Sequence, residues 1–219
     1  MGIPVLILGK SGSGKSSSMR NFDQNEICIY NVAGKIFPFR NTFKRVFQNP
    51  SITDIINSLK KPKGGKHSKV YVIDDSQYLM AFESFRRAKE VGYGKFTDIA
   101  VSFYNLIQTV IRDTQPDTIV YFLHHSETTD TGEVKAKTIG KMLDNQLTVE
   151  GLFPIVLLCQ TDGKRHYFVT QSDGYSTAKS PMDMFPPEID NDLKAVDTAI
   201  REYFGLDAPA EQQAENPAA

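Results

Sequence analysis

VLILGKSGSGKSS, residues 5–17, decides the fold. Four apolar residues run without interruption into a segment made of glycine, serine and lysine. The apolar run reads as a strand buried on both faces, the pattern of a parallel sheet. The second half fits G-x-x-x-x-G-K-[ST] through Gly9, Gly14, Lys15 and Ser16. Each residue type there has a physical reason. Glycines let backbone N–H groups converge on phosphate oxygens with no Cβ in the way. A helix opening at Gly14 and running to Arg20 would aim its positive end at the same oxygens. Lys15 reaches the β- and γ-phosphates, and the Ser16 hydroxyl can ligate Mg²⁺. Gly9, Lys10, Ser11, Gly12, Ser13, Gly14, Lys15, Ser16 and Ser17 are therefore the candidate nucleotide contacts, and ATP with Mg²⁺ the expected ligands. The plainer reading is a Ser/Gly linker, but a linker has no reason to lie between a strand and a helix.

A second stretch completes the constellation. VYVIDD, residues 70–75, is four apolar residues ending in two acids, the form of a Walker-B strand. Asp74 is placed to hold Mg²⁺ and Asp75 to act as catalytic base toward water. The alternative for Asp75 is a helix N-cap ahead of Ser76. Two adjacent carboxylates repel, so one of them is expected to have a raised pKa. TIVYFLHHS, residues 118–126, puts His124, His125 and Ser126 at another strand tip. A polar side chain there can sense a terminal phosphate. The residues alone do not separate the two histidines or exclude a plain loop role; His125 is placed among the nucleotide contacts.

Strands expected over 26–32, 70–73 and 118–123 alternate with helices over 53–59, 76–91, 97–113 and 192–204. A short helix is expected over 41–47 and another over 139–147. A hairpin over 155–170 turns at Asp162-Gly163. Such alternation predicts a three-layer α/β/α domain over residues 1–206 with a mostly parallel sheet and a C-terminal hairpin. Residues 207–219 (DAPAEQQAENPAA) carry little that could build a core and are expected to be a disordered tail. Ser126–Lys137 reads as a mobile loop.

The chain has 219 residues, room for one such domain and not two. Net charge is −1, so no global basic field points to nucleic acid, and such contact must come from a local patch. Lys135, Lys137 and Lys141 form one candidate patch for single-stranded DNA; the basic segment 60–69 is an equal one by charge, and a solvated surface is the plainer reading of both. Cys28 and Cys159 lie in apolar runs and read as buried thiols of a reducing compartment. No signal peptide and no membrane span are expected, and the expected location is the cytoplasm, that of the host cell if the chain is phage-encoded.

One strand and a helical segment separate the loop strand from the Walker-B strand, which suits a RecA-like or AAA-like division. No N-K-x-D motif argues for a GTPase, and the scattered arginines do not form the lid of a nucleoside monophosphate kinase. In LILGKSGSGKSS, VYVIDD, GKFTDIAVSFYNLI, FLHHSE, KTIGKMLDNQLTVEGLFPIVL and RHYFVTQSDGYSTAKSPMDMF the sequence resembles the small phage-type AAA/RecA-like P-loop nucleotide-binding proteins, among them the Sak-group single-strand annealing recombinases. The resemblance implies a RecA-like ATPase core, assembly into rings or filaments, and single-stranded DNA as partner in recombination. Ala178-Lys179-Ser180-Pro181 is similar to the A-K-N-R motif of RadA-type ATPases. Lys179 matches and implies a cation acting across a subunit boundary; Pro181 replaces the arginine, so no arginine finger is implied. A nucleotide switch with little turnover, and a small-molecule phosphotransferase, are the competing functions.

Overall fold

The computed structural model describes residues 1–60, 67–140 and 142–207. Its centre is β1 (Ile3–Gly9), in which Val5 to Leu8 are almost wholly removed from water. Side chains alternate across a strand, so Leu6 and Leu8 enter one core while Val5 and Ile7 enter the other. Each such burial contributes about 1.5–3 kcal/mol, which drives this segment to the middle of the sheet.

Among the described residues the sheet has nine strands: β1, β2 (Ile27–Asn31), β3 (Val46–Gln48), β4 (Val70–Asp74), β5 (Ile119–Thr128), β6 (Val134–Ala136), β7 (Ile155–Thr161), β8 (His166–Val169) and β9 (Glu188–Asp190). Their order is β3-β2-β4-β5-β1-β7-β8-β9, with β6 paired to β5. The first six in that order are parallel; β8 and β9 add antiparallel at one edge. Thus β5 lies between β1, which feeds the glycine loop, and β4, which ends in Asp74. The register sets Gly9 level with His125 and Asn31 level with Asp74, so four strand tips meet at one end of the sheet.

Helices α1 (Ile52–Leu59), α2 (Gln77–Arg86) and α3 (Gly94–Asp113) cover one face. Ser51 and Asp54 form a reciprocal capping box that starts α1. In α3 the buried Ile99, Phe103, Leu106, Ile107 and Val110 recur at helical spacing. Helix α4 (Leu193–Phe204) covers the other face through Leu193, Val196 and Ile200. It starts at Asp192, whose carboxylate accepts from the amides of Lys194 and Ala195, and stops at Gly205 in the left-handed region.

The mixed α/β class, the mostly parallel sheet and the 155–170 hairpin agree with the sequence reading. Several details do not. The helix expected from Gly14 is a 3₁₀ helix over Ser16–Asn21. Three consecutive serines favour local bonding over helix propagation, and Ser18 Oγ donates back to the Lys15 carbonyl at 2.6 Å. Residues 41–47 form no helix; Val46 to Gln48 pair with β2 as an edge strand, and Phe37, Phe39 and Phe43 gather into an aromatic cluster before it. The expected loop 126–137 is an antiparallel ribbon, because β5 continues to Thr128 and returns as β6. Over 139–147 the regular structure is a π-helical turn, Leu143–Leu147, and α2 ends at Arg86 rather than near Val91. Strand β9 had no sequence signal. Cys28 and Cys159 are both buried and neither forms a disulfide. Asp207, assigned to the tail, pairs with Lys69 at 2.9 Å; residues 208–219 lie outside the described residues.

Candidate phosphate-binding site

The glycine loop leaves β1 at Gly9 and curls around a lysine. Lys15 Nζ donates to the Gly9 carbonyl at 2.7 Å and to the Lys10 carbonyl at 2.9 Å. The ammonium is buried, and desolvation lowers its pKa although Cys159, Asp75 and Asp74 act to raise it. Two glycines are demanded by geometry. A Cβ at Gly9 would stand 2.4 Å from Ser13 Oγ, and one at Gly14, where φ is +102°, would stand 2.9 Å from the His166 ring. Gly12 also has positive φ but faces open space. Lys10 and Ser11 form the exposed arm of the loop, and Ser17 is the second residue of the 3₁₀ helix that starts at Ser16.

The far wall of the loop is held from the hairpin. His166 Nδ1 lies 2.8 Å from the Ser13 carbonyl and must carry the proton, since a carbonyl only accepts. Cys159 Sγ donates to the same carbonyl at 3.1 Å and accepts from Asn191 Nδ2 at 3.3 Å. Burial pushes the Cys159 thiol up to about 11, so it stays protonated. Ser13 Oγ, by contrast, is buried with no hydrogen-bond partner among the described residues.

The carboxylates stand across from the loop. Ser16 Oγ donates to Asp74 Oδ1 at 2.8 Å. Burial lifts the Asp74 carboxyl to about 6; the Asp75 charge adds to the rise, while the Ser16 bond and the charges of Lys15 and Lys35 oppose it. Asp75 occupies the left-handed region at φ +60°. Its carboxylate accepts from Lys35 Nζ at 2.8 Å and lies 3.1 Å from His125 Nε2. Burial would raise its pKa, but the bonds to His125 and Lys35 prevail and hold it low. Ser76 occupies the cap position of α2 without a side-chain cap bond, and the Asp75 carboxylate faces Lys35 and His125 instead of serving as that cap.

Strand alternation separates the two histidines. His124 is fully buried, with Nε2 at 2.9 Å from the Lys137 carbonyl and Nδ1 at 2.9 Å from Ser76 Oγ. Burial drives its pKa to about 4, so it is a neutral structural group. His125 faces Asp75, with its ring 5.3 Å from that of Tyr78. A cleft of about 620 Å³ opens beside it, lined by Lys10, Ser11, Tyr78, Phe85, His125 and Lys137.

The other predicted residues lie apart from this centre. Lys135 pairs with Glu127 at 3.3 Å on the β5–β6 ribbon. Lys137 reaches the cleft, and Lys141 lies outside the described residues, as do residues 61–66 of the second basic segment. The Lys179 backbone pairs with Val156, three residues before Cys159, about 10 Å of strand away from the loop. It does not join Lys15, Asp74 and Asp75 within one chain. Sequence reading missed Lys35, Tyr78 and His166. For Lys35 the available signal was its place just past the tip of the second strand, after Gly34.

A second cleft of about 610 Å³ at the opposite end of the sheet includes His67, Lys69, Asp197, Arg201 and Asp207. Its charges are matched internally, Arg201 with Asp197 at 2.7 Å and Lys69 with Asp207 at 2.9 Å.

No family model matches the chain, and no curated protein matches it. Among the described residues no group of three or more His, Cys, Asp or Glu side chains gathers around a point. Ser16 Oγ and Asp74 Oδ1 are hard oxygens side by side, the partial donor set suited to Mg²⁺, which keeps most of its waters.

Proposed function

We propose that the chain is a Mg²⁺-dependent ATP-binding protein of the P-loop type with a RecA-like core, and that it hydrolyses ATP in connection with single-stranded DNA binding and annealing. The observation that carries the nucleotide reading is the juxtaposition of a lysine cradled by a glycine loop with a Ser–Asp pair at the neighbouring strand tip. The strand order supports the RecA-like or AAA-like division, since β5 intervenes between loop strand and acid strand. Gly9 and Gly14 keep a space that a Cβ would fill, and Ser13 Oγ has an unused bond to offer.

In this reading the loop amides and Lys15 bind the phosphates, and Ser16 and Asp74 hold the metal ion. Bound Mg²⁺ supplies charge neutralisation on the phosphate oxygens. Asp75 accepts the proton of the attacking water, and His125 orients Asp75. Most of the rate then comes from positioning and charge complementarity. The DNA partner rests on the resemblance and on Lys135 and Lys137 of the β5–β6 ribbon. Lys179, outside the centre of its own chain, suits a role across a boundary in a ring or filament. A cytoplasmic setting accords with two buried cysteines that form no disulfide. Among the described residues no helix is long and apolar enough to cross a membrane.

A second reading, a nucleotide switch with little turnover, is favoured by one observation. Asp75 is already engaged by Lys35 and His125, and a carboxylate with a lowered pKa is a weak base. Mg²⁺-dependent ATP hydrolysis, with and without single-stranded DNA and with Lys15→Ala as blank, separates the two. Stimulation by single strands is expected. Binding without hydrolysis in both conditions would remove the base role from Asp75 and leave the switch.

A further inference from the structure

Three adjacent strand tips meet at Asp75, and only two of the residues involved have been given work. The third is Lys35, in the segment after β2. Its main chain is fixed: the buried Asn31 donates from Nδ2 to the Lys35 carbonyl at 2.7 Å, and the Asn31 carbonyl in turn accepts from Gly34 and Asn49. Its side chain is extended toward the site, with Nζ 2.8 Å from Asp75 Oδ2 and 5.0 Å from the centre of the Tyr78 ring. The two ends of the ion pair differ. The Asp75 side chain is 10% exposed, whereas that of Lys35 is 59% exposed.

We propose that Lys35 is the cation that recognises the terminal phosphate, resting on Asp75 when that phosphate is absent and moving to it when a triphosphate binds. The proposal rests on the nucleotide reading above. An exposed lysine usually gains little from a surface carboxylate, but here the acceptor is buried and the backbone on the lysine side is anchored. The lysine stem has four rotatable carbons, so Nζ can change partner without moving that backbone. The charge pattern supplies the drive. Asp74 and Asp75 are consecutive; Asp75 holds Lys35, while Asp74 holds Ser16, the residue next to Lys15 in the loop. A polyanion on Lys15 therefore lies within the field of Lys35 and competes with Asp75 for it. A diphosphate, one anionic group shorter, competes less. Once Lys35 leaves, Asp75 retains only His125 and becomes available to a water. The same contact that reports the third phosphate thereby releases the carboxylate needed to cleave it, and no partner subunit is required for this step.

The test is equilibrium binding rather than turnover. Affinities for ADP and for a non-hydrolysable ATP analogue, both with Mg²⁺, are measured by calorimetry for wild type, Lys35→Ala and Lys35→Arg, with Lys15→Ala as blank. Lys35→Ala is expected to lose about tenfold in affinity for the triphosphate and less than about twofold for ADP, with Lys35→Arg recovering most of the difference. A merely structural Lys35 would weaken both nucleotides alike, or neither, and either result overturns the proposal while leaving the nucleotide reading intact. Failure of wild type to bind either nucleotide any better than Lys15→Ala overturns both.

Discussion

Replacing Asp74 by Asn should make the metal-free protein more stable at neutral pH, although it removes the residue assigned to Mg²⁺. The carboxyl is lifted from 3.8 to about 6, chiefly by burial, at 5% residue exposure. Between these values the folded chain holds a proton that the unfolded chain has released. Stability therefore falls as pH rises through this window, and above it the whole cost is carried. At about 1.4 kcal/mol per pH unit the cost is about 3 kcal/mol, an upper figure because solvent relaxation reduces it. Asn has the same shape, keeps an oxygen for the Ser16 hydroxyl and has no charge to desolvate. In urea unfolding with a chelator present, Asp74→Asn should exceed wild type by about 2–3 kcal/mol at about pH 7.5 and by about 1 kcal/mol at about pH 4.5, where wild-type Asp74 is itself mostly protonated. A variant no more stable than wild type at neutral pH would refute the account, as would a gain that does not shrink in acid.

Two further outcomes are expected. Gly14→Ala should destabilise the fold more than Gly12→Ala in urea unfolding: both impose positive φ, at about 1–3 kcal/mol, but only at Gly14 does the new Cβ meet the His166 ring. His124→Gln should remove an acid-destabilising contribution, so that the variant gains stability relative to wild type as pH falls from about 6.5 to about 4. Burial depresses the His124 pKa from 6.5 to about 4, so stability present above 6.5 is lost as pH falls to about 4, by about 3 kcal/mol, and the variant has no such proton to take up.

The parts of the fold legible in the sequence were those with one dominant local signal. Val5–Leu8 and Val70–Ile73 are continuous apolar runs that only a doubly covered strand explains, and α3 repeats its apolar face over many turns. The loop from Gly9 to Ser16 was legible because backbone geometry there restricts residue type. What failed was decided by tertiary pairing. Val46 to Gln48 is a strand because β2 offers an edge, and the polar segment 126–137 becomes a ribbon because β5 extends past its core. The site divides in the same way. Lys15, Ser16 and Asp74 are given by motif, whereas Lys35, marked only by its place just past the second strand, meets Asp75 and His166 meets the loop through tertiary pairing. The choice between His124 and His125 needed only the phase of β5, which alternation supplies once the strand is known to run through both.

The titrations of Asp74 and His124 bear on each other. Asp74 makes the protein more stable as pH falls from about 6 toward 4, and His124 makes it less stable over an overlapping window from 6.5 to about 4. Their magnitudes are similar, so wild type should show a nearly flat profile there in spite of two strongly shifted groups. A flat curve alone would be consistent with no shifts at all. The single variants distinguish the cases: Asp74→Asn should expose an acid-sensitive slope, and His124→Gln a slope of opposite sign. The two groups contact different partners, Ser16 on one side and Ser76 with Lys137 on the other, and Asp74 is not among the causes of the His124 shift. The double variant should thus return to a flat profile, offset upward at neutral pH by the Asp74 gain less the cost of repacking at His124. Opposite slopes that fail to cancel in the double variant would mean that the strand tips titrate as one coupled network, and that the burial cost assigned to Asp74 belongs in part to its neighbours.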